Sequence, residues 1–181
     1  AHAAMFRVEK GHSFMLQVVK ALLPQFPNLL YVAAGEGDTR QAIETEARRL
    51  GLGKHVVLPG MLSPVAPLIK RADVLVMPSS YEPLGMSQIE ALGLGVPVVV
   101  SNVGGLPETV QSGITGYVCP APHAPAALEA WVLALGKVLA EPHKAREMAA
   151  QGRQAVLAQF GKQSNIDGLV GTIETPRLGR S

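Results

Sequence analysis

The chain has 181 residues, enough for one well-buried domain, and its 48% hydrophobic and 17% charged residues exclude a disordered polymer. Sixteen basic and 14 acidic residues leave a net charge of +2 with no long single-sign run, which argues against a nucleic-acid partner. Cys119 is the only cysteine, so no internal disulfide is possible, and with the five histidines it shows no zinc-ligand spacing.

Aromatic residues make up 4% of the chain, so an aliphatic core is expected. No apolar stretch reaches the roughly 20 residues that cross a bilayer, since even the run 91–100 is broken by Gly93, Gly95 and Pro97. A soluble protein is the expectation. The start, Ala1-His2-Ala3-Ala4-Met5-Phe6, has neither an initiator Met nor a signal-peptide pattern, and reads as the first strand of a domain with more chain expected upstream.

Short apolar runs alternate with longer helical segments from the start of the chain, which is the pattern of a parallel sheet covered on both faces. Strands are predicted at residues 3–6, 29–34, 55–58, 74–77, 96–100 and 117–119. The first helix, 13–25, places Phe14, Val18, Ala21 and Leu22 at helical spacing and stops at Pro24 and Pro27. A second spans 39–50, with Thr39 as N-cap and Gly51 as terminator. A short third, 64–71, starts at Pro64. The fourth covers 85–94, and 107–112 supplies one further turn. Two long Ala-rich helices follow at 124–139 and 142–160, parted by Glu141-Pro142. Residues 1–160 form one unit, and 161–181 a tail in which 166–173 forms a last strand or helix and the final eight residues fray.

The most informative stretch directly follows the strand 74–77: Pro78-Ser79-Ser80-Tyr81-Glu82-Pro83-Leu84-Gly85-Met86-Ser87-Gln88-Ile89-Glu90-Ala91. Ligands of open α/β sheets bind at the carboxyl ends of the strands, so a loop that leaves a strand with a carboxylate and opens a helix is placed for chemistry. Gly85 allows close backbone approach, and the amides of Gly85, Met86 and Ser87 offer positive partial charge suited to a phosphate. Glu82 and Glu90, one in the loop and one in the helix, can both accept hydrogen bonds from a polyhydroxylated ligand. Spacing alone leaves open a plain cap and a solvated face residue.

Further pieces lie in order along the chain: Arg7-x-x-Lys10-Gly11-His12, Gly35-Glu36-Gly37, Val57-Leu58-Pro59-Gly60, Ala72-Asp73-Val74, Gly95-x-Pro97-Val98-Val99, Gly104-Gly105-x-x-Glu108 and Gly113-x-x-Gly116. With Pro78-Ser79-x-x-Glu82-x-x-Gly85-x-x-x-x-Glu90-Ala91 they resemble, from Lys10 to Phe160, the C-terminal domain of glycosyltransferase family 4, whose members have the two-domain GT-B architecture.

The resemblance implies a Rossmann-like α/β domain, a parallel sheet of about six strands with helices on both faces. It implies that Glu90 holds the ribose hydroxyls of a sugar nucleotide and that Glu82 meets the transferred sugar. Leu84, Gly85, Met86 and Ser87 would lend backbone groups to sugar and phosphates. Lys10 and Arg7 would neutralise charge on the leaving diphosphate, although many relatives separate Arg and Lys by more residues than here. Met61, after the third strand, would touch the nucleobase or simply pack in the core. The resemblance also implies retention of anomeric configuration and no obligatory metal or other cofactor, and no Asp-x-Asp occurs here.

The donor implied is a UDP-, GDP- or ADP-sugar, and the setting cytoplasmic synthesis of cell-envelope polysaccharide or lipopolysaccharide. An N-terminal acceptor-binding domain is expected and absent from these residues, and any peripheral membrane contact is assigned to it. This half by itself is expected to bind donor weakly and transfer little or no sugar.

Three other readings compete. A sugar-nucleotide epimerase or phosphorylase could share the architecture, although no lysine is identifiable for pyridoxal phosphate. An NAD enzyme is disfavoured because Gly35-Glu36-Gly37 lacks a third glycine and reads better as a tight turn. A non-catalytic nucleotide-binding module is the third. Gly104-Gly105 and Gly113-x-x-Gly116 read as turn glycines, Glu108 as a surface carboxylate, and His12 as a capping or packing residue.

Overall fold

The computed structural model describes residues 1–160. The tail 161–181, with the element expected at 166–173, lies outside the described residues. In chain order the elements are β1 (His2–Ala3), α1 (His12–Leu22), β2 (Tyr31–Ala34), α2 (Arg40–Arg49), β3 (Val56–Gly60), α3 (Ala66–Lys70), β4 (Leu75–Met77), α4 (Met86–Gly93), β5 (Val98–Ser101), β6 (Tyr117–Cys119), α5 (Ala127–Ala140) and α6 (Pro142–Phe160). Single 3-10 turns, Val8–Lys10 and Leu106–Glu108, follow β1 and β5. Among the described residues no helix is long and apolar enough to cross a membrane.

All strand pairs are parallel, as the expected α/β class requires. The strands form two ladders, β1-β2-β3 and β4-β5-β6, instead of one continuous sheet of six. The ladders meet at β1 and β4, where the Ala1 nitrogen donates to the Val74 carbonyl (2.7 Å) and the Val76 amide donates to the Ala1 carbonyl (2.9 Å). The spatial order is therefore β3-β2-β1-β4-β5-β6, the doubly wound arrangement whose ligand crevice lies where the order reverses.

The seam is thin because β1 is two residues long and lies earlier than the expected 3–6. Apolar character alone suggested a longer strand. Beyond Ala3 the chain instead runs beside the turn Gly35-Glu36-Gly37: the Ala4 amide bonds the Ala34 carbonyl and the Phe6 amide the Glu36 carbonyl. Gly35-Glu36-Gly37 is thus a backbone crossing, in keeping with the tight-turn reading.

Alternation along β4 and β5 divides the interior into two cores. Val74, Val76 and Val99 join Leu16, Val19, Leu22 and Trp131 on the side of α1, α2 and α5. Leu75, Met77, Val98 and Val100 join Ile69, Leu92 and Val156 on the side of α3, α4 and α6. Four consecutive buried residues in β5 are what a strand covered on both faces needs. Trp131 is fully buried, edge-on to Phe14 at 5.9 Å, and its indole N–H donates to the Pro120 carbonyl (2.9 Å).

Helix ends differ from expectation where side-chain chemistry was counted on. Thr39 precedes α2 but makes no capping bond, and its Oγ1 is buried without a partner. The third helix starts at Ala66 and not at Pro64. Helix α6 starts at Pro142, as expected, and continues to the last described residue.

Candidate functional site

The carboxyl ends of β1 and β4 open into a cleft of about 330 Å³ lined by Ala3, Ala4, Met5, Lys10, Met77 and the run from Glu82 to Ser87. Two strands and the helix after one of them create it. The 3-10 turn after β1 carries Lys10, and the loop after β4 carries Glu82 and opens α4. Lys10 Nζ donates to Glu82 Oε2 at 2.7 Å, with the two side chains 18% and 14% exposed. A cation and an acid distant in sequence are held together at the mouth of the switch point.

Leu84, Gly85, Met86 and Ser87 line the same cleft. Gly85 takes the left-handed conformation (φ 81°) at the N-cap of α4, so the first-turn amides of Met86 and Ser87 have no carbonyl one turn earlier to bond. The Ser87 hydroxyl donates to the Ala3 carbonyl (2.8 Å) and fastens α4 to β1. Met86 is 64% exposed, and Glu90, one turn on along the same helix face, is also exposed.

Three other expected residues do not line the cleft. Glu90 stands below it on the open face of α4. Arg7 is exposed and lines a neighbouring depression of about 290 Å³ with His12, Ser13, Thr39 and Glu46. Met61 follows β3 and is 70% exposed, which removes the core-packing alternative for it.

His12 packs, as expected. Its ring is sandwiched between Phe6 and His2, each 4.2 Å away and nearly parallel. Burial first, and the Lys10 charge second, hold its pKa down to about 4. His2 is shifted the same way, mainly by burial, and its Nδ1 shares a 2.7 Å hydrogen bond with the Tyr31 hydroxyl.

Sequence reasoning missed the support under the acidic loop. The Gly105 amide donates to the Glu82 carbonyl (3.2 Å). A Cβ on Gly104 would overlap that same carbonyl oxygen, and one on Gly105 would lie 2.5 Å from the Pro83 oxygen. These glycines are more than turn formers, because the 82–84 backbone rests directly on them. The sequence signal was the pair itself, within Gly104-Gly105-x-x-Glu108. Gln88, fully buried, bonds the next residues of that support.

The family model for glycosyl transferases group 1 matches residues 2–155. Curated relatives include a glycogen synthase of Mycobacterium tuberculosis, 35% identical over 158 residues, covering 86% of this chain and 37% of that protein. A D-inositol 3-phosphate glycosyltransferase of Segniliparus rotundus is 31% identical over 176 residues, 94% of this chain and 38% of that protein. Among solved structures, Anabaena Alr3699/HepE in complex with UDP and glucose superposes with a TM-score of 0.85 at 19% identity, over 97% of this chain and 47% of that one. Sucrose-phosphate synthase from Thermosynechococcus elongatus gives 0.82 at 29% identity, over 95% of this chain and 44% of that one. The chain thus spans under half the length of each of these proteins. With a family match over most of its length and a cleft at the switch point of a doubly wound fold, the chain belongs to the group 1 glycosyl transferases.

Proposed function

We propose that this chain is the donor-binding half of a retaining glycosyltransferase, taking a nucleotide-diphosphate sugar in the Lys10–Glu82 cleft. The observation that carries the reading is the 2.7 Å contact between Lys10 and Glu82 beside the first-turn amides of α4. A diphosphate needs cationic and amide donors, a sugar needs an acceptor for its hydroxyls, and the cleft offers these within one small volume.

In this reading Lys10 and the Met86 and Ser87 amides receive the diphosphate, while Glu82 faces the sugar. Glu90 holds the ribose from the open face of α4, and Met61 lies on the side of the base. Arg7 reaches the phosphates only by leaving its present position. Charge that builds on the leaving diphosphate is offset by Lys10 and the helix amides, the chief catalytic contribution of this half. The complex of HepE with UDP and glucose supports a UDP-sugar as donor, and the mycobacterial glycogen synthase supports a glucosyl group. The acceptor belongs to the part of the relatives that this chain does not span, as does the pathway, for which cell-envelope polysaccharide or lipopolysaccharide is the reading carried over from the family.

The test is a thermal-shift screen with UDP-glucose, UDP-N-acetylglucosamine, GDP-mannose and ADP-heptose. A donor at a hundredfold excess over its Kd stabilises the native state by about 2.7 kcal/mol and raises the Tm accordingly. No shift with any nucleotide sugar, against a shift with NAD, would reject the reading. Retention is checked on the anomer formed by this half joined to an acceptor domain.

A further inference from the structure

Gln88 is fully buried in the middle of α4, two residues before the exposed Glu90. A glutamine in that position costs free energy unless its amide is bonded. Its Nε2 donates to the Leu106 carbonyl (2.9 Å) and also reaches Thr109 Oγ1, so both N–H groups are engaged. Its Oε1 is buried without a partner. What the structure uses is the pair of donors, and both point at one segment, the 3-10 turn Leu106–Glu108 and the residue after it.

That segment lies under the acidic loop. The Leu106 side chain is fully buried and fills the space in front of Gly85, where a Cβ would come within 2.5 Å of it. One residue earlier, the Gly105 amide holds the Glu82 carbonyl at 3.2 Å. The bonds form a continuous line from the Gln88 amide through Leu106 and Gly105 to the Glu82 backbone, and from the Glu82 carboxylate to Lys10. A leucine or methionine at position 88 would fill the same volume. It would leave the Leu106 carbonyl without its donor and let the turn drift, because apolar contact fixes separation far less sharply than a directed hydrogen bond.

We propose that Gln88 is a positioning residue for the donor site: acting through Leu106 and Gly105, it sets the height at which the Glu82 carboxylate stands in the cleft. It touches neither donor nor reacting atoms. The assignment of a sugar-facing role to Glu82 rests on the function proposed above, whereas the mechanical link from Gln88 to the Glu82 backbone does not.

The experiment compares the wild-type chain with Gln88→Met. Amide hydrogen exchange is followed at Gly105 and, as a remote control, at Tyr31, whose amide bonds the His55 carbonyl in the other ladder. Affinities for UDP-glucose and for UDP are measured in parallel. The expected result is exchange at Gly105 faster by about tenfold, Tyr31 unchanged, UDP-glucose affinity down by about tenfold and UDP affinity changed by less than about twofold. A core-filling role alone would lower the Tm and leave Gly105 exchange and the UDP-glucose to UDP ratio as they were, and that result overturns the proposal.

If Gln88→Met does not fold, Thr109→Val removes one of the two acceptors and keeps the glutamine. Gly105 exchange should then rise by about threefold, and an unchanged rate overturns the proposal equally. Wild-type protein that binds no sugar nucleotide would reject the donor reading, while the exchange rates would still decide the link.

Discussion

Lys10 Nζ and Glu82 Oε2 lie 2.7 Å apart although 72 positions separate them in sequence, and each comes from a different ladder of the fold. Lys10→Met removes the cation and leaves a carboxylate that is mostly shielded from water. UDP-glucose affinity is expected to fall by about tenfold and stability by about 1 kcal/mol. Adding Glu82→Gln should recover much of the lost stability and none of the affinity, read by urea denaturation and calorimetric titration.

Glu90 offers the complementary test, since it is exposed on α4 and no core packing depends on it. Glu90→Ala should leave the Tm within about 1 °C of wild type, in line with surface substitutions of a few tenths of a kcal/mol. Under the ribose-holding role it should weaken UDP and UDP-glucose alike, by about tenfold. Unchanged affinity for both would remove Glu90 from the site.

Gly104 has φ 50° and would drive a Cβ into the Glu82 carbonyl, whereas Gly51, at φ 74°, has nothing within 4 Å of its would-be Cβ. Gly51→Ala isolates the cost of a left-handed alanine, about 1 kcal/mol. Gly104→Ala carries that cost and also displaces the acidic loop. It should destabilise by about 1–3 kcal/mol more and weaken UDP-glucose binding, which Gly51→Ala should leave intact.

Stability should depend on pH through His12. Its folded-state pKa of about 4 lies below the ordinary 6.5, so the unfolded chain binds more protons between those values. Stability is full above about pH 6.5 and declines as the pH falls toward 4, by an amount on the order of 3 kcal/mol from this residue. His2 acts in the same direction. His12→Phe keeps a ring between Phe6 and His2 and should flatten the profile measured by urea denaturation at pH 7 and pH 4.5.

The parallel architecture was legible because β4 and β5 are apolar on consecutive residues, and α6 because Pro142 opens an uninterrupted Ala-rich run. The meeting of residues 10 and 82 was foreshadowed by the family resemblance and by the place of each after a predicted strand, and only the folded strand order sets those two strands side by side. Residues 3–6 misled because apolarity does not reveal that beyond Ala3 the chain runs close beside the Gly35-Glu36-Gly37 turn. Gln88 was invisible for a different reason. In a one-dimensional pattern a helical glutamine reads as surface, and only the fold discloses a carbonyl waiting for it inside. Gly104 and Gly105 announced a turn but not the backbone that rests on them.

The two ladders of the sheet join between β1 and β4, and the proposed chemistry straddles that join. The lysine rides on one bank and the glutamate on the opposite bank. Both hydrophobic interiors span the same join, Val74 and Val76 packing with Tyr31 and Ala33 on one face and Leu75 and Met77 with Ala3 on the other. A slip of the banks that opened the charge pair would shear both of them. Alignment of the charge pair is therefore a property of the joint, held by the same packing that keeps the two halves together.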